Sequence, residues 1–201
     1  MAARIASGKP TATGLRPLLR ARRAAMTAHA RADADARIRD LLDEALKARL
    51  ETAGEPRIVA AFWPIGAEPD LRPLLARWAL DARLRVALPV VRTRGAPLIF
   101  REWTADTPMV SGAYDIPEPQ GTIELIPRIV LAPLLGFTGD RDRIGYGGGF
   151  YDRTLAVLKA AGGPLWTVGV AHACMRLEPG EHAPEPHDVQ LDAIVTEQGW
   201  V

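Results

Sequence analysis

The spacing of apolar residues along this chain switches between a helical period and short continuous runs, and the switches mark its elements. Residues 1–14 hold Ser, Gly, Pro and Thr without periodicity and read as a flexible N-terminal tail. Leu15, Leu18 and Leu19 open a helix near Leu15, and Ile38, Leu41, Leu42, Ala45, Leu46 and Leu50 give a second amphipathic stretch. Gly54 and Pro56 are its stop signals. From Arg57 the texture changes. Ile58 to Trp63 is an unbroken apolar run closed by Pro64, which suits a strand buried on both faces. Leu71, Leu74, Leu75, Trp78 and Ala79 return to helical spacing. Strand-like runs follow at Arg85–Val91 and Leu98–Trp103, then a Pro-rich crossing at Ile116–Pro119 and a strand at Ile129–Ala132. A helix is expected over Tyr151–Ala161, with strands at Leu165–Val170 and Ala193–Thr196.

Strands alternating with helices predict an α/β fold. Residues 15–201 should form a single three-layer domain, a mainly parallel sheet with helices on both faces. Ligands of such folds sit beyond the carboxyl ends of the strands. Three loops qualify: Pro64–Asp70, Pro133–Gly149 and His172–Asp188.

Composition narrows the function classes. The chain has 201 residues and a net charge of +1, so it carries no overall attraction to nucleic acid or anionic lipid. Cys174 is the only cysteine, which rules out an internal disulfide and fits a reducing cytoplasm. No apolar run approaches the roughly 20 residues of a membrane span, and no signal-peptide core is present at the start. Charge is nonetheless uneven. Arg4, Lys9, Arg16, Arg20, Arg22 and Arg23 all precede the first acid, Asp33. A transit peptide, a nucleic-acid arm, a solvated helix face and an anion site are all consistent with that leader. Arg16, Arg20 and Arg23 share one helical face and can converge on one anion.

The densest chemical signal is Arg143-Ile144-Gly145-Tyr146-Gly147-Gly148-Gly149-Phe150-Tyr151-Asp152. Bare backbone between a strand and a helix exposes N–H groups that form a phosphate cradle. A P-loop is excluded because no Gly-Lys-Ser/Thr follows, and the dinucleotide pattern fails at Phe150. Arg143 adds a fixed cation, Tyr151 an aromatic face, and Asp152 a hard oxygen ligand suited to Mg²⁺. Asp152 equally suits the dipole of the helix it opens.

Together with Pro133-Leu134-Leu135-Gly136-Phe137, this run resembles the signature of the 5-formyltetrahydrofolate cyclo-ligase family, also called methenyltetrahydrofolate synthetases. The likeness extends from about Leu15 to the C-terminus. It implies an ATP-dependent enzyme of folate one-carbon metabolism. ATP phosphorylates the formyl oxygen of 5-formyltetrahydrofolate, N10 closes the ring, and 5,10-methenyltetrahydrofolate, ADP and phosphate leave. Carried over, Arg143 through Tyr151 match the ATP-binding loop (Ile144, Gly145, Tyr146, Gly147, Gly148, Gly149 and Phe150 between them). Arg143 and Tyr151 lie nearest the chemistry. Arg16 matches an N-terminal phosphate contact with Arg20 in support. Trp63 and Glu68 match folate-pocket positions, bordered by Tyr146 to Phe150. Asp152 and Asp188 match Mg²⁺-associated carboxylates. Read without the family, Asp188 suits a turn residue better than a ligand, and Glu68 suits an exposed loop acid as well as a pocket acceptor.

Departures fall at Ala12, where the family often has lysine and Lys9 would have to substitute, at Thr138 in place of Asp, and at Asp142 in place of Gly. His172, His182 and His187 share a late loop without metal-motif spacing. Two other functions compete. A non-catalytic nucleotide or phosphosugar sensor would need the glycines but not both acids. A nucleic-acid binder would need aromatics near the basic helix, and residues 1–50 hold no Phe, Trp or Tyr. A monomer acting on small molecules is expected, with neither nucleic acid nor membrane as partner.

Overall fold

The computed structural model describes residues 12–50 and 57–201. Arg4, Lys9, Gly54 and Pro56 lie outside these, as does the tail before Ala12. Helix α1 spans Ala12–Ala24, opening ahead of the expected Leu15, and α2 spans Ala28–Leu50. Strand β1 (Arg57–Ala60) leads through a loop to α3 (Arg72–Trp78), whose first turn holds Pro73, a position where the missing N–H costs nothing. Strands β2 (Leu84–Val90) and β3 (Ile99–Glu102) follow, then a ribbon of β4 (Met109–Ser111) and β5 (Pro117–Pro119). After β6 (Ile129–Pro133) comes a second ribbon, β7 (Gly136–Phe137) with β8 (Arg143–Ile144). Helix α4 (Phe150–Ala160) leads to β9 (Trp166–Val170), β10 (Ala193–Thr196) and β11 (Gly199–Trp200).

The main sheet has seven strands in the order β11-β10-β9-β6-β1-β2-β3. Neighbours from β10 to β2 pair parallel, while β3 and β11 are antiparallel edges. Most positions on both faces of the parallel strands are buried, which is why these runs read as predominantly apolar. Val59, Ala61, Val86, Leu88, Leu131 and Val168 face α2 and α3, packing on Ile38, Leu42, Leu46, Leu74 and Trp78. Ala60, Ala87, Val130 and Ile194 face the other way, toward Leu15 and Leu19 of α1 and Leu155 of α4. The three-layer α/β domain therefore stands as the sequence implies.

Small residues on the α1–α4 face admit loop side chains to the sheet. Gly169 of β9 shows how closely: a Cβ there would lie 2.6 Å from Leu134, 2.8 Å from Leu191 and 3.1 Å from Ile194. On the opposite side, His172 just beyond β9 is fully buried and shares a 2.7 Å hydrogen bond with Asp35, tying α2 to the sheet.

The chain runs from β1 to β2 on one side and returns to β6 on the other. The strand order therefore reverses between β1 and β6, and the crevice beyond their carboxyl ends is the expected ligand site.

Gly169→Val overpacks a buried face against Leu134, Leu191 and Ile194, and should cost about 1–3 kcal/mol of stability. A lowered urea midpoint at unchanged slope is the expected result. An unchanged midpoint would contradict this packing.

Candidate active site

A cavity of about 470 Å³ opens at that switch point. All three expected loops reach it: Trp63, Ile65 and Glu68 after β1, Pro133 and Arg143 through Asp152 after β6, and His182, Glu185, His187 and Asp188 after β9. Ala12 and Arg16 of α1 complete one wall.

The glycine loop runs from β8 into α4. Gly147 has φ 100° and Gly149, the residue preceding the helix, has φ 62°, both in the left-handed region that penalises any side chain. The first-turn N–H groups of α4 have no partner within the helix and present a positive end at the loop. Around this backbone the arginines are arranged one by one. Arg16 Nε donates to the Gly145 carbonyl at 2.9 Å, and its guanidinium lies 3.3 Å from where a Cβ on Gly147 would stand. Arg153 Nη2 donates to the Gly148 carbonyl at 2.7 Å. Arg143 is buried beneath the loop, its Nη2 2.6 Å from Asp152 Oδ1 and its guanidinium 5.7 Å from the Tyr151 ring centre.

Arg16, Arg20 and Arg23 do not converge. Leu15, Leu19 and Arg23 form the buried row of α1, at i, i+4 and i+8, so Arg23 turns inward with the leucines. Arg20 is exposed and stays off the cavity wall, while Leu18 is solvent-facing rather than core.

Glu68 is not an exposed loop acid. It is 5% exposed and bonded on both oxygens. Oε2 accepts the Ile65 N–H at 2.9 Å, and Oε1 accepts the Tyr146 hydroxyl, which in turn accepts Arg23 Nη1 at 2.9 Å. Burial pushes the Glu68 carboxyl above its ordinary range, against the opposing pull of Tyr146, Ile65 and Arg23. Burial likewise pushes the Tyr151 phenol well above its usual value, assisted by the Glu68 charge and opposed by Arg143. Tyr151 therefore stays a donor, and its hydroxyl is buried with no partner among the described residues. Trp63 stands edge-on to Trp103 at 6.0 Å and lines the same cavity.

Asp152 sits in the first turn of α4, yet its Oδ1 is turned to Arg143 and, at 3.4 Å, to the Val189 N–H. Asp188 does make a turn bond, accepting the Glu185 N–H at 2.8 Å on Oδ2. Both acids line the cavity. Among the described residues no group of three or more His, Cys, Asp and Glu could hold a metal. Two carboxylates and open space suit Mg²⁺, which is ordinarily held by one or two carboxylates plus substrate phosphates.

The β4–β5 ribbon supplies cavity residues that sequence reasoning missed: Tyr114, Ile116 and Glu118. Tyr114 and Asp115 both take positive φ at its tip, and the Tyr114 ring meets Phe150 edge-on at 6.0 Å. Glu118 accepts the Val91 N–H at 3.1 Å and fills the space beside Gly112, where a Cβ would fall 2.1 Å from its Cδ. The one available signal was the Pro-rich crossing itself, which marks an edge ribbon but not the direction of its tip. His182, read from the sequence only as a member of the late loop, is buried, and its Nε2 has no partner among the described residues.

This arrangement places the chain among α/β proteins that hold a ligand at the reversal of a parallel sheet. Sequence comparison makes the family definite: the profile of the 5-formyltetrahydrofolate cyclo-ligase family matches residues 9–197, and the chain belongs to that family. It is an enzyme of the ligase kind. It is 33% identical over 145 residues to the 5-formyltetrahydrofolate cyclo-ligase of Escherichia coli K12, a span of 69% of this chain and 76% of that protein. To the 5-formyltetrahydrofolate cyclo-ligase of Mycolicibacterium smegmatis it is 32% identical over 148 residues, 70% of this chain and 73% of that one. The NMR structure of Aquifex aeolicus 5,10-methenyltetrahydrofolate synthetase matches with a TM-score of 0.77 at 23% identity, covering 94% of this chain and 91% of the other. That likeness shows the shared fold. Membership in an enzyme family disfavours the non-catalytic sensor. Among the described residues no helix is long and apolar enough to cross a membrane.

Glu68 generates a prediction with a definite sign. A carboxyl raised on folding adds stability below its unfolded pKa, and that stability is lost as pH rises through the folded value. Wherever the carboxyl is ionised its charge is thus a cost of folding, and the melting temperature of Glu68→Gln relative to wild type should rise with pH, the difference shrinking toward pH 4. If Glu68 accepts from the folate as the family resemblance implies, the same variant should also raise the folate KM roughly tenfold. A pH-independent difference in melting, or a normal folate KM, would return Glu68 to a merely structural loop role.

Proposed function

We propose that this enzyme closes the ring of 5-formyltetrahydrofolate to give 5,10-methenyltetrahydrofolate, using ATP with Mg²⁺ and releasing ADP and phosphate. One observation carries the reading: the buried acceptor Glu68 and the glycine loop line a single cavity. Two substrates whose atoms must react would meet there without crossing solvent.

In this reading the folate ring lies against Trp63 and Glu68, bordered by Tyr146 through Phe150. An ionised carboxylate only accepts hydrogen bonds, so it selects the donor edge of a pterin. ATP phosphates rest on the N–H groups of the loop from Ile144 through Tyr151. Arg16 spends Nε on Gly145 and keeps its outer nitrogens for phosphate. Arg20, exposed one turn along, adds to the field and not to the contact. Ala12 lines the cavity in place of the family's lysine, so Arg16 carries more of this duty.

The formyl oxygen attacks the γ-phosphorus of ATP, and ADP departs. N10 then attacks the activated carbon and gives up its proton, the ring closes, and phosphate leaves carrying the former formyl oxygen and that proton. No protein nucleophile is needed; positioning and charge neutralisation suffice. Arg143, buried and fixed by Asp152, offers positive charge that needs no reorganisation as the phosphoryl group moves. Tyr151 offers a neutral hydroxyl donor. Asp152 and Asp188 would hold Mg²⁺, each with an oxygen not taken by the bonds above. The ion would neutralise phosphate charge when bound. A reducing cytoplasm suits a chain with one cysteine.

Asp152→Asn tests this directly. Wild type should form the methenyl product, read by its absorbance, only with ATP and Mg²⁺ both present. The Asn variant should lose about 10²–10³ in kcat, partly regained at high Mg²⁺. Because Arg143 loses its countercharge, the melting temperature must be recorded alongside. A folded Asn variant within a few-fold of wild type at low Mg²⁺, or wild-type turnover in excess chelator, would contradict the assignment.

A further inference from the structure

Arg23 has no role in the reading above, yet it is one of the most deeply buried charges in the chain, at 7% exposure. No carboxylate lies within salt-bridge distance of it among the described residues. Its Nη1 instead donates to the Tyr146 hydroxyl at 2.9 Å, with the guanidinium 5.8 Å from that ring's centre. The hydroxyl has a single proton, and that proton goes to Glu68 Oε1. A chain of two hydrogen bonds thus links a buried guanidinium through a phenol to a buried carboxylate. The two ions compensate each other without touching.

The relay is directional in space as well. Arg23 and Arg16 stand on the same helix, and they hold consecutive residues of the glycine loop, Tyr146 by its hydroxyl and Gly145 by its carbonyl. Each oxygen of Glu68 retains a lone pair for a ligand, because Tyr146 and Ile65 each occupy one site. Without Arg23, the Tyr146 hydroxyl is free to rotate its proton elsewhere, and the carboxylate loses both its aim and its countercharge.

We propose that Arg23 is a positioning residue for folate recognition: acting through Tyr146, it fixes the Glu68 carboxylate as an acceptor on the cavity wall. The inference rests on the folate reading of Glu68 and names the residue that makes that acceptor specific. Arg23 itself touches neither substrate.

The test uses the full chain, with Arg23→Met, Arg23→Lys, Tyr146→Phe and the Met–Phe double variant. Arg23→Met should raise the folate KM roughly tenfold, the scale of a hydrogen bond to a charged group, and leave the ATP KM unmoved. Arg23→Lys, which keeps a cationic donor, should recover part of the loss. Tyr146→Phe should match Arg23→Met, and the double variant should be no worse than either single one, because both cut the same relay. A packing role gives a different pattern. If Arg23 only seats α1, its loss displaces Arg16 and raises the ATP KM in parallel, and the Tyr146 effect adds to it. Either result overturns the relay. If Arg23→Met does not fold, Tyr146→Phe with Arg23→Lys still decides: normal folate KM in both overturns the proposal. Binding of 5-formyltetrahydrofolate to wild type without nucleotide, by calorimetry, separates the two levels. No binding and no turnover would overturn the folate reading itself, whereas wild-type binding with an unaffected Arg23→Met overturns only the relay.

Discussion

A loop with glycine at 145, 147, 148 and 149 has almost no side chains with which to hold its own shape, so everything that acts around it depends on what clamps it from outside. Here the clamps are arginines. Arg16 holds the Gly145 carbonyl, Arg153 holds the Gly148 carbonyl, and Arg143 underlies the loop through its pair with Asp152, while Arg23 bonds only the Tyr146 hydroxyl and leaves the loop backbone to the others. The same groups that fix the backbone also surround it with positive charge. An anion placed on the N–H groups meets a field already organised, which is the condition for electrostatic catalysis of phosphoryl transfer. The cost is a cluster of partly desolvated cations. The half-buried Asp152 and the buried Glu68 offset it, one directly and one through a phenol.

The fold was legible where burial forces a pattern. Strands β1, β2, β6, β9 and β10 lie within the sheet and read as mostly apolar runs, and α2 buries a stripe from Ile38 to Leu50. The ribbons were not legible. β7, β8 and β11 are two residues long, too short for any period, and β4–β5 is bounded by prolines that read as a crossing. The helix α1 was seen but its phase was not. Leu18 and Arg23 exchange the expected sides because the buried row continues from Leu15 and Leu19 into an arginine, a residue that sequence reading assigns to solvent.

The site divides along similar lines. Bare backbone between a strand and a helix announces itself in composition, and the loop from Arg143 to Asp152 needed no tertiary information to be singled out. Trp63, Glu68 and Asp188 came from family likeness, because nothing local separates a pocket acid from a loop acid. The structure separates them by burial. Tyr114 and Glu118 could not be found in the sequence, and Arg23 and His182 were read there without the positions they take, since each gains its position only when distant elements close on the crevice. Tyr114, for one, meets Phe150 only because the β4–β5 tip and the start of α4 come together.

The central claim is that the formyl oxygen itself becomes the acceptor of the phosphoryl group, within one cavity that holds both substrates. Tracing that oxygen is the most direct test. The enzyme is supplied with 5-formyltetrahydrofolate labelled with ¹⁸O in the formyl group, together with ATP and Mg²⁺, and the released phosphate is analysed by mass spectrometry. The account predicts that each phosphate carries the label and that none appears in water. Unlabelled phosphate formed alongside the methenyl product would mean that ATP is hydrolysed separately and that ring closure does not pass through the phosphorylated oxygen.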